Sequence, residues 1–155
     1  MRKISITALT GLLCAALMPA VLSCADSNRS TEWADIDNSA WPYGKKIVFN
    51  AQHTDLTAAE TVLLTIRHND AYAYANVWVE LKYRSPQADT LVADTFNVRL
   101  ANSFGRWLGK GNGTLFSRSD TLALRHKVTP GSGFVLRHIM RVDTVRDIEQ
   151  IGLAY

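Results

Sequence analysis

Cysteine is nearly absent from this chain. Cys14 and Cys24 are the only two, and both fall in the first 24 residues. A chain cut before Cys24 keeps a single thiol, so disulfides and cysteine-ligated zinc are excluded. Other signatures are missing too. There is no G-x-S-x-G elbow, no H-x-H or H-E-x-x-H pair, and no Walker lysine followed by Ser or Thr. Sustained helical periodicity, internal repeats and low-complexity blocks are also absent. Together these gaps remove the common hydrolase, zinc and nucleotide signatures and leave the fold to packing and sheet hydrogen bonds.

The N-terminus carries the clearest message. Arg2 and Lys3 precede a largely apolar run from Ile4 to Leu22, closed by Ser23 and Cys24. A basic start, an apolar middle and a small residue before the cut make a secretory signal peptide. The run is about long enough to span a bilayer, but Thr7, Thr10, Gly11 and Pro19 weaken that reading. The ending Val21-Leu22-Ser23-Cys24 is similar to a bacterial lipobox, which implies cleavage and lipidation of Cys24 and so closes off a cysteine nucleophile.

Removal of residues 1–23 from 155 leaves 132, enough for one core. Losing Arg2 and Lys3 takes Lys+Arg from 17 to 15 against 14 Asp+Glu, so the net charge falls from +3 to +1. The sequence pI of about 9.0 therefore belongs partly to the signal, and nothing argues for nucleic acid as a partner.

Residues 25–40 are polar and aperiodic, and read as a tether reaching roughly 50 Å extended or about 22 Å as coil. Trp33 and Ile36 are the residues that could dock it on the domain. Trp41-Pro42-Tyr43-Gly44 marks the entry to folded chain.

From there the chain alternates with period two. Val62, Leu64, Ile66 and His68 share a face, as do Val77, Val79, Leu81 and Tyr83. So do Val92, Asp94, Phe96, Val98 and Leu100, and Phe134, Leu136, His138, Met140 and Val142. Turn residues separate these runs. Thr57 to Glu60 suggests one helical turn at most, and Asp120 to Lys127 fits either a short helix or a strand. The expected fold is all-β: a single antiparallel β-sandwich or jelly-roll-like domain over residues 41–155. It follows a signal peptide over 1–23 and a lipidated, flexible segment over 24–40.

Several motifs, in order, resemble one family. They are Arg67-His68-Asn69, Tyr72-x-Tyr74-x-Asn76-x-Trp78, Gly105-Arg106-Trp107-Leu108-Gly109-Lys110-Gly111, Pro130-Gly131, and His138-x-Met140-Arg141 leading to Ile148-x-x-Ile151-Gly152-Leu153. With the N-terminal cysteine, this series is similar to the gliding-motility lipoprotein GldH family of Bacteroidota. The resemblance implies a small cell-envelope lipoprotein of the gliding apparatus, linked to type IX secretion. It assigns no catalytic residue and no cofactor. Its expected partners are the membrane, through the lipid, and envelope proteins of that apparatus. Ala25-Asp26 follows Cys24 without an acidic run, which favours the periplasmic face of the outer membrane.

Two segments are candidate contact surfaces. Tyr72, Tyr74, Asn76 and Trp78 stand on one face of a strand and could stack on a sugar or dock a protein. They could equally be inner-face residues or cross-strand pairs. Arg106, Trp107 and Lys110 lie in a glycine-rich loop, where Trp107 could cover the core edge or meet a partner. The row Tyr72, Tyr74 and Trp78 motivates a second reading, a carbohydrate-binding lipoprotein, which requires exposed, coplanar rings. A third, a small hydrolase, would need Asp94, His68 and His138 to converge. His68 and His138 with a carboxylate such as Asp94 would also make a metal site, but the spacing gives no support and buried, satisfied histidines are the simpler expectation. Asp94 would then bond to a turn or to Arg141.

Overall fold

A computed structural model describes residues 31–50 and 60–155. The signal peptide, Cys24 and the suggested turn at residues 57–60, apart from Glu60, lie outside the described residues. The described chain is built from eleven strands and one short 3-10 turn. The strands are β1 (Thr31–Asp35), β2 (Ala40–Pro42), β3 (Ile47–Phe49), β4 (Thr61–Asn69), β5 (Asn76–Tyr83) and β6 (Val92–Arg99). They continue with β7 (Lys110–Asn112), β8 (Leu115–Ala123), β9 (Phe134–His138), β10 (Thr144–Arg146) and β11 (Ile148–Ala154). The turn is Asp37–Ser39.

The strands form a five-stranded sheet, β1-β11-β4-β8-β7, and a four-stranded sheet, β3-β9-β5-β6, with β2 and β10 as a separate ribbon. All pairings are antiparallel. This is the expected all-β, sandwich-like arrangement. Residues 120–123 belong to β8, so the ambiguous stretch from Asp120 begins as strand.

Alternation sets the layers. In β5, Val77, Val79, Leu81 and Tyr83 are fully buried, while Trp78 faces out. In β4, Val62, Leu64, Ile66 and His68 are fully buried. Completely burying one large apolar side chain contributes about 1.5–3 kcal/mol, so each such face outweighs any single polar contact on the surface. Trp41, at the end of the sandwich, is also fully buried, and its Nε1–H donates to the Lys45 carbonyl at 3.0 Å.

β11 departs from period two. Ile148 and Ile151 are both fully buried although three residues apart. A regular strand would place them on opposite faces. The register shifts between Ile148 and Gln150, pairing Ile148 with His68 and Gln150 with the adjacent Arg67. The extra residue resets the phase, after which Ile151 and Leu153 point inward.

The tether expected over residues 24–40 is corrected for its described part. Residues 31–35 pair with β11 through five partners, and Ile36 is buried at 4% exposure. The reason lies on the far strand. Gly152 of β11 has no side chain, and the Trp33 ring covers the gap, so close that a Cβ there would sit 2.8 Å from it. The Arg67 guanidinium lies 4.0 Å above that ring and donates to Gln150, whose amide donates to Asp35. An aromatic covering a strand glycine and a stacked cation hold a polar-looking segment on the sheet.

Gly152→Val is therefore expected to expel the Trp33 ring and lower stability by about 1–3 kcal/mol. In urea denaturation, the substitution should cost much less when Trp33 is already Ala, because the two residues share one contact. Equal costs in both backgrounds would show that the ring does not depend on Gly152.

Candidate interaction surface

The aromatic row of the β5 approach divides in the structure. Tyr72 is buried at 3% exposure and its hydroxyl donates to the Asn76 carbonyl at 3.0 Å. Tyr74 and Trp78 remain exposed at 37% and 42%. Tyr72 and Tyr74 meet edge to face, with their planes 72° apart. The exposed, coplanar rings that the carbohydrate reading required are thus not formed. Residues 72–75 precede β5 rather than extending it, so the chain bends before the alternation begins. That geometry does not supply the sugar-stacking platform the carbohydrate reading required. Asn76 is spent on a cross-strand amide pair, its Nδ2 donating to Asn97 Oδ1 at 2.6 Å.

Tyr72 belongs to an aromatic cluster around His68. The His68 ring lies 4.5 Å from Trp107, 5.5 Å from Tyr72 and 5.8 Å from Phe116, measured between centroids. Its Nδ1 is 2.9 Å from the Asn69 carbonyl, and its Nε2 is buried without a hydrogen-bond partner. Burial pushes the His68 pKa down, with the Asn69 carbonyl opposing. Trp107 therefore covers the core edge at this end of β4, one of the two roles its loop position allowed.

His138 and Asp94 occupy different settings. His138 is fully buried against the edges of Trp41 and Tyr43, at 5.2 and 5.5 Å. Burial lowers its pKa as well, with the Trp41 and Pro42 backbone opposing. Asp94 is 4% exposed; Oδ2 accepts from the Tyr83 hydroxyl at 2.8 Å and the Arg125 backbone N–H at 2.9 Å. Its Oδ1 lies 3.1 Å from the Arg125 guanidinium. Asp94 is thus bonded to the turn after β8 and not to Arg141. The Tyr83 hydroxyl, desolvated by burial, is pushed up to about 12. No hydrogen bond or ring contact joins His68, His138 and Asp94, and no group of three or more potential metal ligands occurs among the described residues. The convergent cleft of the hydrolase reading is not formed.

The glycine-rich loop presents its polar groups outward. Ala101 and Trp107 form an isolated antiparallel bridge. Between them, the Asn102 side chain accepts from the backbone N–H groups of Phe104 and Arg106 at 2.9 and 3.0 Å. The Asn102 N–H donates to the Arg106 carbonyl at 2.9 Å, and Gly105 takes φ +75°, a conformation glycine adopts without strain. Arg106 and Lys110 are exposed. At the tip stands Phe104, 87% exposed. Phe104 was not among the sequence candidates. The available signal was its place inside Asn102-Ser103-Phe104-Gly105, because an aromatic in a tight turn has no strand face to bury it.

Across the chain, the GldH lipoprotein family model matches residues 29–154. The chain belongs to the GldH lipoprotein family. A relative from Christiangramia forsetii, described as a gliding motility lipoprotein GldH homolog, is 27% identical over 73 residues. That match covers 47% of this chain and 44% of the relative, less than half the length of either. Among solved structures, a Family 16 carbohydrate binding module matches with TM-score 0.33 and 11% identity, over 73% of this chain and 70% of that one. Dimeric latent PorU from Porphyromonas gingivalis matches with TM-score 0.29 and 12% identity, over 81% of this chain and 12% of that one. Likeness at this level carries no argument about function. The GldH assignment agrees with the motif order read from the sequence.

The two buried histidines give a pH signature. Burial lowers both pKa values from the ordinary imidazole value of about 6.5, so as pH falls through that value the unfolded chain binds more protons than the folded one. Stability should be full near pH 7 and fall as pH drops from about 7 towards 5. Urea midpoints across that range should flatten in a His68→Phe, His138→Phe variant. An unchanged slope would mean that other groups carry the dependence.

Proposed function

We propose that this GldH-family protein is a lipid-anchored, non-enzymatic component of the envelope machinery for gliding and linked type IX secretion. It would act through protein–protein contacts from the periplasmic face of the outer membrane. The supporting observation is that the family match runs from residue 29 to 154 and so takes in the whole described domain. The side chains with the best chemical credentials, His68, His138 and Asp94, serve separate packing or bonding roles inside it. What lies open is suited to contact: Tyr74, Trp78, Arg106 and Lys110 are exposed, and Trp107 is half-buried against His68. Trp78 is tied to the segment after β9, as its N–H donates to Met140 Sδ and its carbonyl accepts from the Ile139 N–H.

Cys24 is the proposed attachment point. Residues 24–30 then link the lipid to Thr31, where β1 docks on the sheet. More than one acyl chain is required for stable anchoring.

Cys24→Ser should move the protein from the outer-membrane fraction to the soluble fraction, with loss of palmitate labelling. In a host that glides, the same variant should fail to restore surface spreading to a deletion strain. Retention in the membrane fraction without label would overturn lipid anchoring. Normal spreading and secretion in the deletion strain would overturn the role in the apparatus.

A further inference from the structure

The exposed Phe104 hairpin carries charge of one sign. From Thr95 to Ser119 the chain has Arg99, Arg106, Lys110 and Arg118 and no Asp or Glu. Removing these four from the 15 basic residues beyond position 23 leaves 11 against 14 acidic residues, so the rest of the chain is net negative. Three acids lie at this end of the sheet: Asp70, exposed in the turn after β4, and Asp147 and Glu149, which accept from the Asn69 amide at 3.0 and 3.2 Å. Arg99, Arg106 and Lys110 are all exposed.

The tip is also built in advance. The Asn102 carboxamide, the Asn102–Arg106 backbone bond and the Ala101–Trp107 bridge fix the turn, and Trp107 roots it on His68. A preorganised loop loses little entropy on binding, and an aromatic beside an arginine is the usual makeup of a binding hot spot. Leaving Phe104 at 87% exposure has no packing rationale within the domain.

Its position selects the occupant. Thr31 lies in the row Thr31, Ala154, Leu63, Thr121 at one end of the five-stranded sheet. Trp107 packs on His68, whose row with Phe116 lies at the other end. Thr31, which the chain joins to Cys24, and the root of the Phe104 hairpin therefore lie at opposite ends of that sheet, which favours a partner other than the membrane that would hold the lipid.

We infer that the Phe104 hairpin is a docking knob for a protein partner, with Phe104 entering an apolar pocket rimmed by carboxylates that pair with Arg106, Lys110 and Arg99. The inference rests on the envelope-contact reading above and adds the surface and the chemistry of the partner. Salt and charge reversal should weaken such a contact, and loss of the ring should remove its anchor.

The test is photocrosslinking in cells with the full, lipidated chain. p-Benzoylphenylalanine replaces Phe104, or, as an exposed control on β3, the far edge strand of the four-stranded sheet, Val48. The expected result is one discrete protein adduct from position 104, mapped by mass spectrometry to an Asp/Glu-rimmed site on the partner. The adduct should fall at least about fivefold with Arg106→Glu and drop again as salt is raised in isolated envelopes. Adducts to lipid, adducts no stronger than those from Val48, or a protein adduct indifferent to Arg106→Glu would each overturn the proposal. Probes at Tyr74 and Trp78 separate the two levels of the argument. Protein adducts there without one at 104 reject only the knob, whereas their absence from every position rejects contact function itself.

Discussion

The pairing of β11 between β1 and β4 is the constraint on which the rest depends. This strand occupies the second position of the five-stranded sheet and supplies Ile148, Ile151 and Leu153 to the core, all fully buried. It can do so only because the chain bulges between Ile148 and Gln150. Gly152 then lies on the outer face, where it receives Trp33, and through Trp33 the strand holds β1. A segment whose composition is that of a linker becomes part of the sheet because a later strand provides both the hydrogen-bonding edge and the recess for its one large ring.

The packing that follows leaves little chemistry available inside. His68 and His138 are enclosed by aromatic rings, and the Asp94 carboxylate is divided between a tyrosine hydroxyl and the Arg125 turn. Buried polar groups of this kind specify a particular packing more than they add net stability. Membership of the GldH lipoprotein family, linked by name to gliding motility, fits a domain whose exposed features are aromatic and basic rather than nucleophilic. The cross-strand pair Arg137–Glu80, with Arg137 Nε 2.7 Å from the carboxylate and Lys82 beside it, is of similar character. The Arg137 hydrogen bond holds Glu80 below the usual carboxylate range, and both side chains are half-buried.

The sandwich was legible because alternation is a direct consequence of strand geometry. The faces Val62/Leu64/Ile66/His68 and Val77/Val79/Leu81/Tyr83 are buried as the period required. What escaped was set by contacts between distant residues. β1 depends on Gly152, more than a hundred positions away, so within residues 31–35 only Trp33 hinted at docking and nothing there announced a strand. Tyr72 keeps the phase of the β5 alternation in sequence, but the bend over residues 72–75 sends it to His68 and breaks the aromatic row. The bulge in β11 was half visible, since Ile148-x-x-Ile151 cannot be buried by a regular strand. In the glycine-rich loop the basic residues were legible and the most exposed aromatic was not, because a turn has no periodic face from which exposure can be read.

The central claim is that this domain acts through its surface and that its buried polar groups serve structure. The most direct measurement is complementation of a deletion strain of a gliding host, comparing His68→Phe and Asp94→Asn with Phe104→Ala, each at matched protein level. The account requires the first two to restore spreading once folded, and Phe104→Ala to fail while remaining folded and membrane-bound. Loss of spreading in folded Asp94→Asn or His68→Phe, with Phe104→Ala fully active, would contradict it.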